Sequence, residues 1–214
     1  MPSPIADASD APIGVFDSGI GGLSVLQALR AALPYERFVY LADTGHAPYG
    51  ERGDAFVARR THTLARYLVQ QHRAKALVVA CNTATAAAMD GLRARYPGLP
   101  LIGVEPALKP AASATHTGQV AVMATRGTVA SARFARLLAA MPGTAQFRVQ
   151  ACDGLASAIE AEVAVSADDG PAAHAHTVAL CERYLHALGP LGHAAGEADT
   201  LGASRCCRAG SANT

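Results

Sequence analysis

Four short segments of the chain carry side chains able to hold charge or move protons. They are Asp17-Ser18-Gly19-Ile20-Gly21-Gly22, the run Asp43-Thr44-Gly45-His46-Ala47-Pro48-Tyr49-Gly50, Cys81-Asn82-Thr83, and Thr125. Glycines behind an acid let backbone N–H groups approach an anion, and a helix that follows adds its positive end, which suits a carboxylate or a phosphate. Cys81 is the sharpest residue. A thiol just before a helix start lies near unsatisfied N–H groups, which lowers its pKa and makes it a soft base or nucleophile. The same position also fits a buried structural cysteine, and Asn82 and Thr83 serve equally well as helix caps.

A nucleotide site is the natural rival, because Gly19, Gly21 and an acid at Asp43, about 20 residues on, imitate the dinucleotide fingerprint. Ser24 stands where its third glycine belongs, and the GxxxxGK[ST] phosphate loop is absent from the chain. His174-x-His176 is the only close histidine pair; without Cys or carboxylate at ligand spacing it reads as a solvated helix face, and no metal is expected.

The positioning elements alternate. Ile13 to Phe16, Phe38 to Ala42, Ala76 to Ala80, Leu101 to Val104, Val120 to Ala124 and Phe147 to Ala151 are short apolar runs, separated by segments of helical period. That alternation predicts an α/β fold of βαβ units, with helices on both faces of parallel sheets. Leu23, Leu26, Leu29 and Leu33 form one predicted stripe; Val57, Thr61, Leu64 and Leu68 form a second; Val178, Cys181, Leu185 and Leu188 form a third, in a helix over 170–189. Cys81 precedes a helix expected from near Thr83 to Tyr96. In an open parallel sheet ligands bind beyond the carboxyl ends of the strands, where all four segments fall.

Among 214 residues half are hydrophobic, 16% are charged, and the formal net charge is +1. That balance gives no field for nucleic acid or an anionic membrane and leaves a small molecule as partner. No run approaches the roughly 18 apolar residues of a membrane span, and residues 1–12 lack the pattern of a secretion signal and read as a disordered tail on a cytoplasmic protein. Five cysteines, at 81, 152, 181, 206 and 207, are odd in number and argue against a disulfide framework. Cys181 reads as core, and Cys152 precedes a helix start at Asp153 without a basic partner.

Taken together, DSGIGGLSVL at 17–26, LADTGHAPYGER at 41–52 and VVACNTATA at 78–86 resemble the three N-terminal signatures of glutamate racemase, in matching order and spacing. GVEPA at 103–107 and VAVMATRGTVAS at 120–131 are similar to the next two family segments, with Ala124 where the family usually has glycine. The resemblance implies two similar doubly wound parallel-sheet domains, 13–103 and 104–201, with the active site between them and the second incomplete at its C-terminal end. It implies conversion of L-glutamate to D-glutamate for peptidoglycan, without cofactor or metal, by a homodimer. One thiolate removes the α-proton while a second thiol delivers a proton to the opposite face. By motif, Cys81 is one of the pair and Asp17 the nearby acid that sets its protonation. Asp17, Ser18, Pro48, Tyr49, Gly50, Asn82, Thr83 and Thr125 hold the carboxylates and ammonium of the substrate. Residue by residue the bland readings stay open: Tyr49 as packing, Pro48 as a turn former, Thr125 as a helix cap.

After Asp199-Thr200-Leu201 the family continues into a Gly-Cys-Thr-His-Tyr-Pro motif with the second cysteine, whereas residues 202–214 read GASRCCRAGSANT. This ending is what a shifted reading frame or an altered gene end produces. Cys206 falls one residue later than the family cysteine, and a one-residue slip in a strand turns a side chain to the other face. A single-cysteine decarboxylase of the same superfamily and a non-catalytic glutamate-binding protein are the competing readings. The expectation is that the isolated chain is dimeric or aggregating, with weak or no turnover; light scattering and a chiral assay that found a well-folded monomer racemising glutamate at an ordinary enzyme rate would overturn it.

Overall fold

The computed structural model describes residues 10–143, 145–164 and 170–190. Four parallel strands form the first sheet: β1 (Ile13–Asp17), β2 (Phe38–Ala42), β3 (Ala76–Val79) and β4 (Leu101–Gly103), in the order β2-β1-β3-β4. β5 (Gln119–Ala124) and β6 (Gln146–Ala151) pair in parallel over six residues as a second sheet. The helices are α1 (Gly22–Ala32), α2 (Asp54–His72), α3 (Asn82–Arg95), α4 (Leu108–Ala114), α5 (Arg126–Val129), α6 (Ala132–Ala139), α7 (Leu155–Ala164) and α8 (Gly170–Leu188). All six expected strands are present. The expected strand at 199–201, the tail over 1–9 and the segment 202–214 with Cys206 and Cys207 lie outside the described residues.

Strand alternation divides the first sheet between two cores. Phe16, Leu77 and Val79 face α2 and α3, where Val57, Leu64, Leu68, Met89 and Leu92 meet them. Ile13, Val15, Val78 and Ala80 face the other way, onto Val25, Leu26 and Leu29 of α1. A strand buried on both faces reads as a continuous apolar run, as IGVF and ALVV do. The second sheet packs Val120 and Val122 against Leu108 and Phe134.

The stripe on α2 falls as expected: Val57, Thr61, Leu64 and Leu68 are all buried. The other two stripes need correction. On α1 the inward face is Gly22, Val25, Leu26 and Leu29, spaced i, i+3, i+4, i+7, while Leu23 and Leu33 are 48% and 41% exposed. Leucine identity misled there; helix phase, set by where the turn after β1 ends, decided the face. On α8 the buried positions are Tyr184 and Leu188, with Cys181 partly buried, whereas Val178 and Leu185 stay exposed. Tyr184 earns its place through its hydroxyl, which donates to the Asp153 carbonyl at 2.5 Å.

Topology then fixes where a site can form. From β1 the chain moves to β2 on one side, then crosses to β3 on the other, and α1 lies on the opposite face from α2 and α3. The turns leaving β1 and β3 therefore diverge, opening a crevice at their carboxyl ends. Asp17 and Cys81 stand on its two lips.

The corrected stripes separate by mutation. Leu68→Ala is expected to cost about 2–5 kcal/mol of unfolding free energy in urea titration, whereas Leu23→Ala should stay within about 0.5 kcal/mol.

Candidate active site

The turn after β1 is built around Asp17. Its carboxylate, buried at the strand end, accepts from the Ser18 N–H at 2.7 Å and the Gly22 N–H at 2.8 Å, with the Ser18 hydroxyl at 3.4 Å. Gly22 is required because a Cβ there would stand 2.7 Å from Asp17 Cβ and 2.8 Å from the Tyr40 hydroxyl. The N–H of Ile20 donates at 2.9 Å to Glu160, a carboxylate from α7 in the second half. Glycine here does gather N–H groups around anions, but in this structure the anions are the protein's own, where a ligand was expected.

Cys81 occupies the N-cap position of α3, 7% exposed, and its thiol donates weakly to the Ser18 hydroxyl at 3.7 Å. Its environment corrects the expected low pKa. Burial, followed by the Asp17 carboxylate, pushes the thiol up to about 12, and the N–H groups of Ala84 and Ser18 with the Ser18 hydroxyl offset this only in part. A helix start favours a thiolate, but removing the group from water beside a carboxylate outweighs it.

The loop after β2 carries a second buried carboxylate. Asp43 accepts from both edges of the Arg60 guanidinium, at 2.9 and 2.8 Å, from the Tyr49 hydroxyl at 2.5 Å, and pairs with His46 at 3.1 Å. Burial resists its ionisation, yet Arg60 and Tyr49, helped by His46, hold its carboxyl below the ordinary range. Tyr49 is 1% exposed and meets Phe56 edge-on. Its side chain is thus committed to packing and to Asp43, and it is the Pro48-Tyr49-Gly50 backbone that reaches the second half. Gly50 lies against Thr125, leaving no room for a Cβ, and its carbonyl is 3.1 Å from where a Gly127 Cβ would stand.

Three hydroxyls join the halves on the far side of Cys81. Thr83 lies 3.0 Å from Thr125 and 3.3 Å from Thr128, which are 3.0 Å from each other. Thr125 also caps α5, accepting from the Thr128 N–H, so the helix-cap reading of this residue holds. Asn82, exposed at the first position of α3, lines a small cleft with Glu105, Thr128 and Ser131.

Sequence reasoning missed Thr128, Glu160 and Arg60. Thr128 had a signal, lying one turn beyond Thr125 in an already singled-out segment. Glu160 and Arg60 had none, because each acts across 17 or more positions on a partner that only folding brings near.

The other thiols lie apart. Cys152 is buried with its thiol turned to the Gln150 carbonyl, and burial pushes it up to about 11. His174 pairs with Glu162, His176 is exposed, and among the described residues no group of three or more ligating side chains gathers that would hold a metal. Nor is any described helix long and apolar enough to cross a membrane.

A parallel α/β frame thus brings a thiol, a buried carboxylate and clustered hydroxyls together between two sheets. The profile of the Asp/Glu/Hydantoin racemase family matches residues 13–189, and the chain belongs to that family. It is 51% identical over 178 residues to the glutamate racemase of Pseudomonas paraeruginosa, a match that covers 83% of this chain and 64% of that one. The chain therefore spans less than two thirds of that relative's length. Among solved structures it is similar to a glutamate racemase isoform of Bacillus anthracis, with TM-score 0.71 and 31% identity over 86% of this chain and 66% of that one. It is also similar to the Escherichia coli glutamate racemase solved with L-glutamate and an activator, with TM-score 0.67 and 30% identity over 85% and 75%.

The position of Cys81 predicts its reactivity. Its iodoacetamide alkylation, read on the Cys81 peptide by mass spectrometry, should rise about tenfold per pH unit from 7 to 10 without levelling near 8.5. Asp17→Asn removes a charge that disfavours the thiolate and should move the profile to lower pH; a plateau below pH 9 in the parent chain would contradict the raised pKa.

Proposed function

We propose that the chain acts on glutamate as a cofactor-independent racemase, with Cys81 as one of two proton-transferring groups and D-glutamate for peptidoglycan as the product. The observation that carries this reading is the Cys81 thiol, buried at the switch point beside Ser18 and Asp17, two residues from the hydroxyl of Thr83. The 51% identity to a glutamate racemase supports the substrate. The same reading takes 13–103 and 104–201 as its two domains, the cytoplasm as its compartment and a homodimer as its assembly. Free thiols at Cys81 and Cys152 fit a reducing compartment.

The geometry suits the step. At neutral pH the thiol of the empty cleft is protonated and serves as an acid. An amino acid brings an ammonium, which next to Asp17 adds positive charge and draws the thiol toward thiolate. The thiolate then takes the α-proton, the bonding pair stays on Cα and spreads into the adjoining carboxylate, and a proton added on the opposite face inverts the centre. Asp17, Ser18, the Pro48-Tyr49-Gly50 backbone, Asn82, Thr83 and Thr125 are the groups assigned to hold the substrate, and Thr128 joins them.

A one-sided outcome is the second reading, favoured because the Cys152 thiol turns to the Gln150 carbonyl and burial pushes it up. The test is α-proton exchange of separate D- and L-glutamate in deuterated water with chiral analysis, on the parent chain and on Cys81→Ala. Exchange lost by at least about a hundredfold in Cys81→Ala supports the assignment of Cys81. Inversion in both directions establishes racemisation, and deuterium entering one enantiomer with retention establishes a single working thiol. Exchange that persists in Cys81→Ala would sink the assignment.

A further inference from the structure

Tyr40 stands on β2, one strand away from Asp17, and its hydroxyl donates to the Gly19 carbonyl at 2.9 Å. That carbonyl belongs to the same peptide unit as the Ile20 N–H. In a planar trans peptide the two point in opposite directions, so a donor holding the carbonyl also aims the N–H. The Ile20 N–H is aimed at Glu160 of α7, whose carboxylate accepts from it at 2.9 Å. Gly19 is part of the seat, because a Cβ there would overlap the Glu160 carboxylate. A phenol on the first sheet is thus linked through one peptide unit to a carboxylate of the second half. Burial, then the nearby Asp17, Glu160 and Cys81, pushes the Tyr40 phenol well above its ordinary pKa, so it remains a donor throughout the neutral range.

We infer that Tyr40 is a positioning residue of the cleft: through the Gly19–Ile20 peptide it fixes the N–H on which Glu160 rests, and so holds α7 over Asp17 and Cys81. The inference rests on the proposed function in taking Cys81 as the working thiol. No other described donor holds the Gly19 carbonyl, and a peptide in a glycine-rich turn is free to rotate when released. With the hydroxyl gone the seat loosens, Glu160 loses its anchor, and the thiol beneath becomes more accessible.

The experiment uses the full chain as parent, Tyr40→Phe, Glu160→Ala and the double variant. Amide hydrogen exchange at Ile20 is followed by NMR against Val15 and Phe16 of β1, and iodoacetamide alkylation of the Cys81 peptide is timed at one fixed pH. Tyr40→Phe is expected to speed Ile20 exchange by at least about fivefold while the β1 amides stay within about twofold. Each single variant should speed Cys81 alkylation severalfold, and the double variant should be no faster than the faster single one, because both act on one linkage. Unchanged Ile20 exchange, effects that multiply in the double variant, or β1 amides accelerated by the same factor as Ile20 would each overturn the inference, the last by reducing Tyr40 to a sheet-stabilising residue. Neither readout needs turnover, so failure of the glutamate exchange test and failure of this inference are separate results.

Discussion

The Asp17 carboxylate at the end of β1 is the interaction on which the rest of the cleft depends. A buried carboxylate must be compensated, and this one is compensated by N–H groups of the turn that follows it, at Ser18 and Gly22. That closes the turn, starts α1 at Gly22, and so sets which face of α1 meets the sheet. It also leaves Ser18 beside Cys81 and aims Ile20 at the second half. Charge burial, turn geometry and helix phase are here one constraint.

Much of the fold was legible because its signals are local. Six strands show as short apolar runs, and α2 carries a period that survives any choice of register. The α1 and α8 stripes were misjudged where leucine and valine count stood in for helix phase, which tertiary contacts fix. Among the candidate site residues, Cys81, Asp17 and Thr125 announce themselves at strand ends. Glu160 does not, since an acid in LASAIEAEVA looks like any solvated helix position until α7 is laid over Gly19. Tyr49 shows the converse: spacing puts it among the site segments, but its hydroxyl belongs to Asp43, a partner that spacing does not reveal.

The halves are joined by contacts that change hands across the cleft. Glu51 of the first half accepts from the Gly154 N–H of the second at 2.7 Å, while Glu160 of the second accepts from Ile20 of the first. Thr83 joins Thr125 and Thr128 between them. Arg126 and Asp153, paired within the second half, flank the Glu51 contact and fix the two turns that present it. Each of these contacts between the halves is a hydrogen bond to a backbone or hydroxyl group. Such bonds contribute about 0.5–1.5 kcal/mol each, somewhat more to a charged acceptor, so the cleft is held by several small terms and can reorganise around a small ligand without unfolding either sheet.

That economy bears on the thiol. A cysteine that ionised readily in the empty cleft would be open to oxidation and alkylation, and its basicity would be correspondingly weak. Burial beside Asp17 does the opposite, keeping Cys81 protonated at rest while making its conjugate base stronger. An α-proton is only weakly acidic, so a strong base is what the proposed step would need, provided it forms only when substrate is present. In the proposed reading the substrate ammonium supplies that condition, because it is the one positive group an amino acid would bring to a lip of the crevice otherwise lined by a carboxylate, hydroxyls and N–H groups. On that proposal, the same carboxylate that suppresses the thiolate in the empty cleft is the group that, once paired, would permit it.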